Sequence, residues 1–301
     1  QAEAEAAAKA AALAASELTV GPQGNYKTIA DALRAAKDGA TVKILGGSYN
    51  ETLVLNGTIN IQGASPASCV INSSRGPTIT ISGNGKISGL TLTNNTGSTA
   101  STILINGGTP DISGCVISNS TPAKAPGWVA GVEVRGGSPT IRSNTFNGSK
   151  AMGISVVGGV PTISGNRISG CDVYGMWFSG PVRAKVSDNT VTQNKNSGVG
   201  IKNGAAPDLT RNTIVGNKEN GVFIYENAGG NIEGNTIKDN AMAGIEVWDA
   251  QPAISNNVIS GNRKNGIHVR GKKANVRLGA NSFSGNSGKE VNNAGGTISN
   301  L

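Results

Sequence analysis

The residue types best suited to chemistry stand close together: Tyr225, Glu226, Glu246, Asp249, His268 and Arg270, with Lys202 a little upstream. Together they could remove a proton beside a substrate carboxylate. His268 would be the base, Glu246 its orienter and Tyr225 the acid, while Arg270 or Lys202 would neutralise the carboxylate. Glu226 and Asp249 could hold Ca²⁺, although two carboxylates are few for an ion that takes about six to eight oxygens. Trp177, Phe223, Tyr225 and Trp248 are interspersed among these groups, four of the 11 aromatic residues in the chain. Flat rings suit stacking on sugar rings, and Arg and Lys suit carboxylates. The plainer reading is an exposed histidine, a solvated acidic rim and an aromatic ladder. Such a ladder stabilises a surface by about 0.2–1 kcal/mol per cross-strand pair.

A repeat places these residues. Asn-Gly-Val-Phe-Ile-Tyr-Glu ends at Glu226, and Ala-Gly-Ile-Glu-Val-Trp-Asp ends at Asp249. Alignment on Asn144, Asn166, Asn189, Asn212, Asn235, Asn257 and Asn281 gives spacings of 22, 23, 23, 23, 22 and 24 residues. With that Asn as position 0, position +2 is apolar and position +5 is Asn from Asn194 to Asn286. Position +9 is Gly from Gly153 to Gly266, and positions +10 and +12 are apolar. Earlier units carry Cys69, Leu90 and Cys115 at position 0, with an insertion holding Trp128 before Gly131.

Alternating apolar pairs between Asn and Gly turns predict short half-buried strands, about three per unit. A unit this short cannot bury its apolar face alone, so units must stack. Asn stacked on Asn satisfies amides along the axis, which makes both ladders structural. Asn and Gly also tolerate the left-handed backbone that the turns need.

Positions +10 and +12 then point inward, and +11 and +13 outward. Position +11 reads Glu133, Ser155, Trp177, Gly200, Phe223, Glu246 and His268. Position +13 reads Arg135, Val157, Ser179, Lys202, Tyr225, Trp248 and Arg270, and position +14 adds Glu226 and Asp249. Rungs about 4.8 Å apart make vertical rows of these, a patch expected to be exposed and to bind a ligand. Position +6 adds a broken basic stripe of Lys150, Lys195, Lys218 and Arg263.

Units with Ile-x-x-Asn-x-Ile followed by Asn-x-x-x-Gly-Ile-x-Val resemble the right-handed parallel β-helix of the pectate-lyase-like superfamily, over roughly residues 40–300. The resemblance implies an all-β, single-stranded solenoid, and it is closest to carbohydrate-binding and sugar-hydrolase-type repeats. Such repeats occur in C5-epimerase relatives, a periplasmic copper-maturation protein and an F-box substrate-recognition protein. The superfamily's sugar-acting members carry their clefts on the corresponding sheet. The Asp-Pro-His motif of alginate epimerases, the dense Ca²⁺ cluster of pectate lyases and the Asp set of polygalacturonases are not found, so no family catalytic residue transfers.

Residues 1–17 are Ala-rich, with Glu5 and Lys9 spaced to support a helix, and read as a helical linker or tag ahead of a β-helix over 18–301. A capping helix is expected near 28–38, begun by Thr28 and Asp31, presenting Ile29, Ala32, Leu33 and Ala36, and stopped by Gly39. This stretch resembles the start of pectin-methylesterase-like β-helices. Cys69 and Cys115 share a rung position two units apart, on the order of 10 Å, too far for a disulfide. With Cys171 they are expected as three reduced, buried thiols. That suits a cytoplasmic or a disulfide-free exported bacterial protein.

No apolar run is long enough to span a membrane. The net charge of +8 favours acidic partners. Carboxylates mixed into the aromatic face argue against nucleic acid, since phosphate would be repelled. The expectation is a monomeric carbohydrate-binding β-helix that recognises an anionic polysaccharide through Trp177, Lys202, Phe223, Tyr225, Glu226, Glu246, Trp248, Asp249, His268 and Arg270. No cofactor is expected beyond the possible Ca²⁺. The alternatives are a protein-recognition scaffold like the F-box relative, or a diverged polysaccharide lyase or C5-epimerase.

Overall fold

The computed structural model describes residue 5 and residues 17–73, 75–95, 100–120 and 129–301. Three parallel sheets of 13, 11 and 11 strands wind around one axis. Sheet A runs from Glu17–Val20 to Thr297–Asn300, sheet B from Gly47–Asn50 to Ser282–Ser284, and sheet C from Leu53–Leu55 to Val291–Ala294. One rung illustrates the path: Asp208–Thr210 in sheet A, Thr213–Val215 in sheet B, Val222–Tyr225 in sheet C, then Asn231–Glu233 back in sheet A. No sheet neighbours are consecutive in sequence after the first two strands, as a parallel coil requires. The fold is a right-handed parallel β-solenoid of roughly 23-residue turns.

Inward positions form the core. Leu209, Ile214, Val222 and Ile224 of one rung are all 0% exposed, and the same holds for Ile232, Ile237, Ile245 and Val247 of the next. Burying each such side chain stabilises by about 1.5–3 kcal/mol.

Both Asn ladders form at the corners. At the A–B corner each amide donates to the next: Asn189 to Asn212 at 2.9 Å, Asn212 to Asn235 at 3.0 Å, Asn235 to Asn257 at 3.0 Å. Each amide oxygen also takes a backbone N–H, as from Asn212 to Asn235 at 2.8 Å. At the B–C corner Asn194, Asn217, Asn240, Asn262 and Asn286 do the same. The left-handed residue is not the ladder Asn, as the sequence suggested, but the one before it. Ser143, Asp188, Arg211 and Asn256 have φ of 54°, 58°, 54° and 57°. The ladder side chain must point inward, so its neighbour makes the turn.

The position +9 glycines serve close approach. A Cβ on Gly221 would lie 2.4 Å from Ile237 Cγ2 and 2.6 Å from the Gly244 carbonyl oxygen. Any side chain there would push the B–C corner apart.

The capping helix spans Ile29–Ala35, shorter than expected, because Ala36 already has extended backbone. Thr28 caps it by accepting from the Asp31 N–H. Glu51, which the sequence did not single out, accepts the Ile29 and Ala30 N–H groups at 2.9 and 2.7 Å. Ile29 and Ala32 are buried against the first rung. Glu17 opens the first strand. Apart from Glu5 and Glu17, the Ala-rich helix expected over 1–17 lies outside the described residues, as does Trp128. Cys69, Cys115 and Cys171 are free and buried. Cys115 continues the first ladder by donating its N–H to Asn144 at 3.0 Å.

Candidate functional site

Five neighbouring strands of sheet C build the outer face: Met176–Ser179, Val199–Lys202, Val222–Tyr225, Ile245–Trp248 and Ile267–Arg270. The register places Phe223 beside Glu246 and Tyr225 beside Trp248, then Glu246 beside His268 and Trp248 beside Arg270. Phe223 and Tyr225, two apart on one strand, stack at 4.3 Å. Trp248 is 42% exposed and lies under the Arg270 guanidinium at 4.1 Å.

Trp177 departs from expectation. It shares the face, but it is only 2% exposed. Its ring lies over Gly200 in the next rung, where a Cβ would come within 2.7 Å of it. Tyr174 packs on it at 4.7 Å and Tyr225 at 6.2 Å. With Ala130 and Met152 they form a second apolar cluster outside the coil. Tyr174 was missed because it stands in a turn, before the strand. Gly200 beside Trp177 in register was the available signal.

The face is charge-balanced. Arg135 pairs with Glu133 at 2.7 Å, Lys202 with Glu226 at 3.2 Å and Arg270 with Glu246 at 2.6 Å. Lys202 also lies 5.8 Å from the Trp177 ring and 5.4 Å from the Tyr225 ring. Of the position +6 stripe, Lys150 and Lys195 both face Asp172, at 3.8 and 2.8 Å. Lys218, Arg263 and the adjacent Lys264 are exposed and make no ion pair among the described residues. The unbalanced positive charge near this face therefore sits on its B–C corner.

Glu246, expected to orient His268, has both oxygens engaged elsewhere. Oε1 accepts from Arg270 Nε at 2.6 Å and Oε2 from Asn220 Nδ2 at 2.8 Å. Burial, and then the nearby Tyr174, push the Tyr225 hydroxyl far above the usual tyrosine range, so it stays protonated. Burial raises Tyr174 in the same way. Glu219, also missed by sequence, stands at the corner before this face. Burial lifts its carboxyl above the ordinary value of 4.5, and the charge of Glu246 adds to the rise.

Beyond Trp248 the chain turns back toward sheet A around a pocket of about 340 Å³ lined by Asn203, Glu226, Asn227, Trp248, Asp249 and Lys273. Asn203, Glu226 and Asp249 occupy one column, with φ of 54°, 53° and 49°, where the flanking rungs use Gly180 and Gly271. Asp249 Oδ1 accepts the Lys273 N–H at 2.9 Å. With Glu226 paired to Lys202, the two carboxylates form a poor donor set for Ca²⁺. No group of three or more His, Cys, Asp or Glu residues suited to a metal occurs among the described residues.

The family model described as right handed beta helix region matches residues 101–253 and 159–300. The chain belongs to that family. No curated protein matches it by sequence. Among solved structures, the periplasmic alginate epimerase AlgG is similar at 15% identity and a TM-score of 0.52, covering 86% of this chain and 77% of that one. The A-module of the Azotobacter vinelandii mannuronan C-5 epimerase AlgE4 is similar at 16% identity and 0.53, covering 89% and 93%. The Agl-KA catalytic domain is similar at 14% identity and 0.53, covering 91% of this chain and 66% of that one. At these identities the likeness is one of fold. No helix among the described residues is long and apolar enough to cross a membrane.

Proposed function

We propose that the outer face of sheet C in this β-helix protein binds a polysaccharide. The observation that carries the reading is Trp248, an exposed ring fixed by the Arg270 guanidinium at 4.1 Å beside a polar pocket. A rigid indole flanked by Asn, Asp and Glu side chains suits a sugar ring, one face on the indole and hydroxyls on the amides and carboxylates. Arg270 and Lys202 are already neutralised, so acidic groups on the chain are read by Lys218 and Arg263 at the corner. Fold neighbours named for alginate and mannuronan epimerisation support a polysaccharide ligand.

The test is tryptophan fluorescence titrated with neutral and uronate polysaccharides at two salt concentrations. A saturable change is expected, lost in Trp248→Ala. Uronate binding should weaken with salt and in a Lys218→Gln, Arg263→Gln double variant. A flat response to the whole panel would overturn the reading and leave the face to a protein partner.

A further inference from the structure

Glu133 and Glu246 stand on the outer face of sheet C, yet each is only 7% exposed. They are held alike. Glu246 Oε1 accepts from Arg270 Nε at 2.6 Å and Oε2 from Asn220 Nδ2 at 2.8 Å. Glu133 Oε1 accepts from Arg135 Nε at 2.7 Å and Oε2 from Ser101 Oγ at 2.6 Å. Asn220 Oδ1 in turn accepts the Ala243 N–H at 3.0 Å, and Ser101 Oγ the Ala130 N–H at 3.1 Å. Both Ala residues stand three before their Glu, in Ala-Gly-Val-Glu-Val and Ala-Gly-Ile-Glu-Val. The two sites are one construction, built twice.

The coil does not need it, because the same outward position carries Ser155, Trp177, Gly200, Phe223 and His268 in other rungs. A buried ion pair adds little net stability over apolar packing, since desolvation offsets the attraction. What each buried carboxylate does is clamp a guanidinium at its Nε, leaving the terminal N–H groups for another acceptor. The Arg135 and Arg270 side chains are 55% and 36% exposed, and their terminal nitrogens have no hydrogen-bond partner among the described residues. With its charge balanced by Glu133, Arg135 is a fixed fork of N–H donors suited to neighbouring sugar hydroxyls.

The separation is set by register. Glu133, Ser155, Trp177, Gly200, Phe223 and Glu246 form one row across six strands. Five steps of about 4.8 Å put the two sites roughly 24 Å apart along the axis. Between Arg135 and Trp248 the parallel row is Val157, Ser179, Lys202 and Tyr225, none of them buried.

We infer that Arg135 is a second carbohydrate subsite. The ligand is a chain extended along the axis, stacked on Trp248 beside Arg270 at one end and hydrogen-bonded through its hydroxyls to Arg135 at the other. The inference rests on the polysaccharide-binding reading. It sets a minimum ligand length of about 24 Å. Because Glu133 balances Arg135, this contribution is insensitive to salt, unlike that of Lys218 and Arg263.

The experiment titrates Trp248 fluorescence with cello-, manno- and mannuronan oligosaccharides, each as a ladder from disaccharide to octasaccharide, at two salt concentrations. It compares the wild type with Arg135→Gln and with a Glu133→Gln, Arg135→Gln double variant. The double variant leaves no unpaired buried charge, and its urea midpoint checks that the fold is kept. Wild-type affinity should rise by ~10- to 100-fold between fragments too short to reach Arg135 and fragments spanning about 24 Å. Both variants should lose that rise, at either salt concentration, and keep wild-type affinity for the short fragments. Arg135→Lys should not restore it, since lysine has no fixed fork. A rise that survives in both variants, or no rise with length although short fragments bind, would overturn the second subsite and leave the Trp248 site standing. Equal loss at every length would make Arg135 a structural residue and overturn the subsite too. No response to any fragment or to the parent polysaccharides would overturn the binding reading itself, and the inference with it.

Discussion

At the residue scale, two tryptophans on one face have opposite roles. Trp177 is enclosed by Tyr174, Tyr225 and the Gly200 backbone, so its indole is part of the packing. Trp177→Ala should cost about 3–5 kcal/mol of stability by urea denaturation. Trp248→Ala should move the midpoint by less than about 0.5 kcal/mol and remove polysaccharide binding. Similar midpoints for the two variants would show that the second cluster is not a packed unit. Glu219 supplies a pH test. Its carboxyl value is raised on folding, so its contribution to stability is fully present below 4.5 and is lost as pH rises through the raised value. Glu219→Gln should therefore match the wild type in acid and become the more stable of the two toward neutral pH. A stability difference independent of pH would sink the assignment.

At the element scale, the corners hold the coil in register. Asn235 donates to Asn257 and to the Leu209 carbonyl and receives the Asn212 amide, so Asn235→Ala leaves several buried groups without partners. The expected cost is on the order of 1–3 kcal/mol, read as a lower urea midpoint. The thiols at these corners are a second check. Burial pushes Cys115 up to about 11 and Cys171 up to about 12. Only the thiolate reacts, so neither should react with a disulfide reagent at neutral pH until the chain is unfolded. Rapid modification of the native protein would place them nearer the surface.

The same corners explain what was legible in the sequence. Strand periodicity, both ladders and the register of the sheet C rows follow from a repeat that the rungs from Asn189 onward obey. What was hidden is what the repeat does not specify. Trp177 looked exposed because alternation assigns a side and says nothing about what covers that side. Tyr174 and Glu219 stand in turns, where position fixes no direction. Ion pairing of Lys202 and Arg270 depends on rotamers that the spacing does not fix.

At the scale of the whole molecule, each rung presents its outer residues one strand further along a single axis, about 4.8 Å per step. Between rungs, the ladder amides bond to the rung before and the rung after. A rung is therefore a removable unit. Excising residues 190–212 would set Asn189 against Asn235 in place of Asn212, and a folded but shorter coil is expected by circular dichroism and small-angle scattering. The excision would also bring Phe223 into Gly200's place under the Trp177 ring, so the shortened chain carries Phe223→Gly to keep that space open. The molecule thus works as a ruler with interchangeable graduations. Its length could drift by whole rungs between relatives while the spacing of any surviving marks stays an integer multiple of one step.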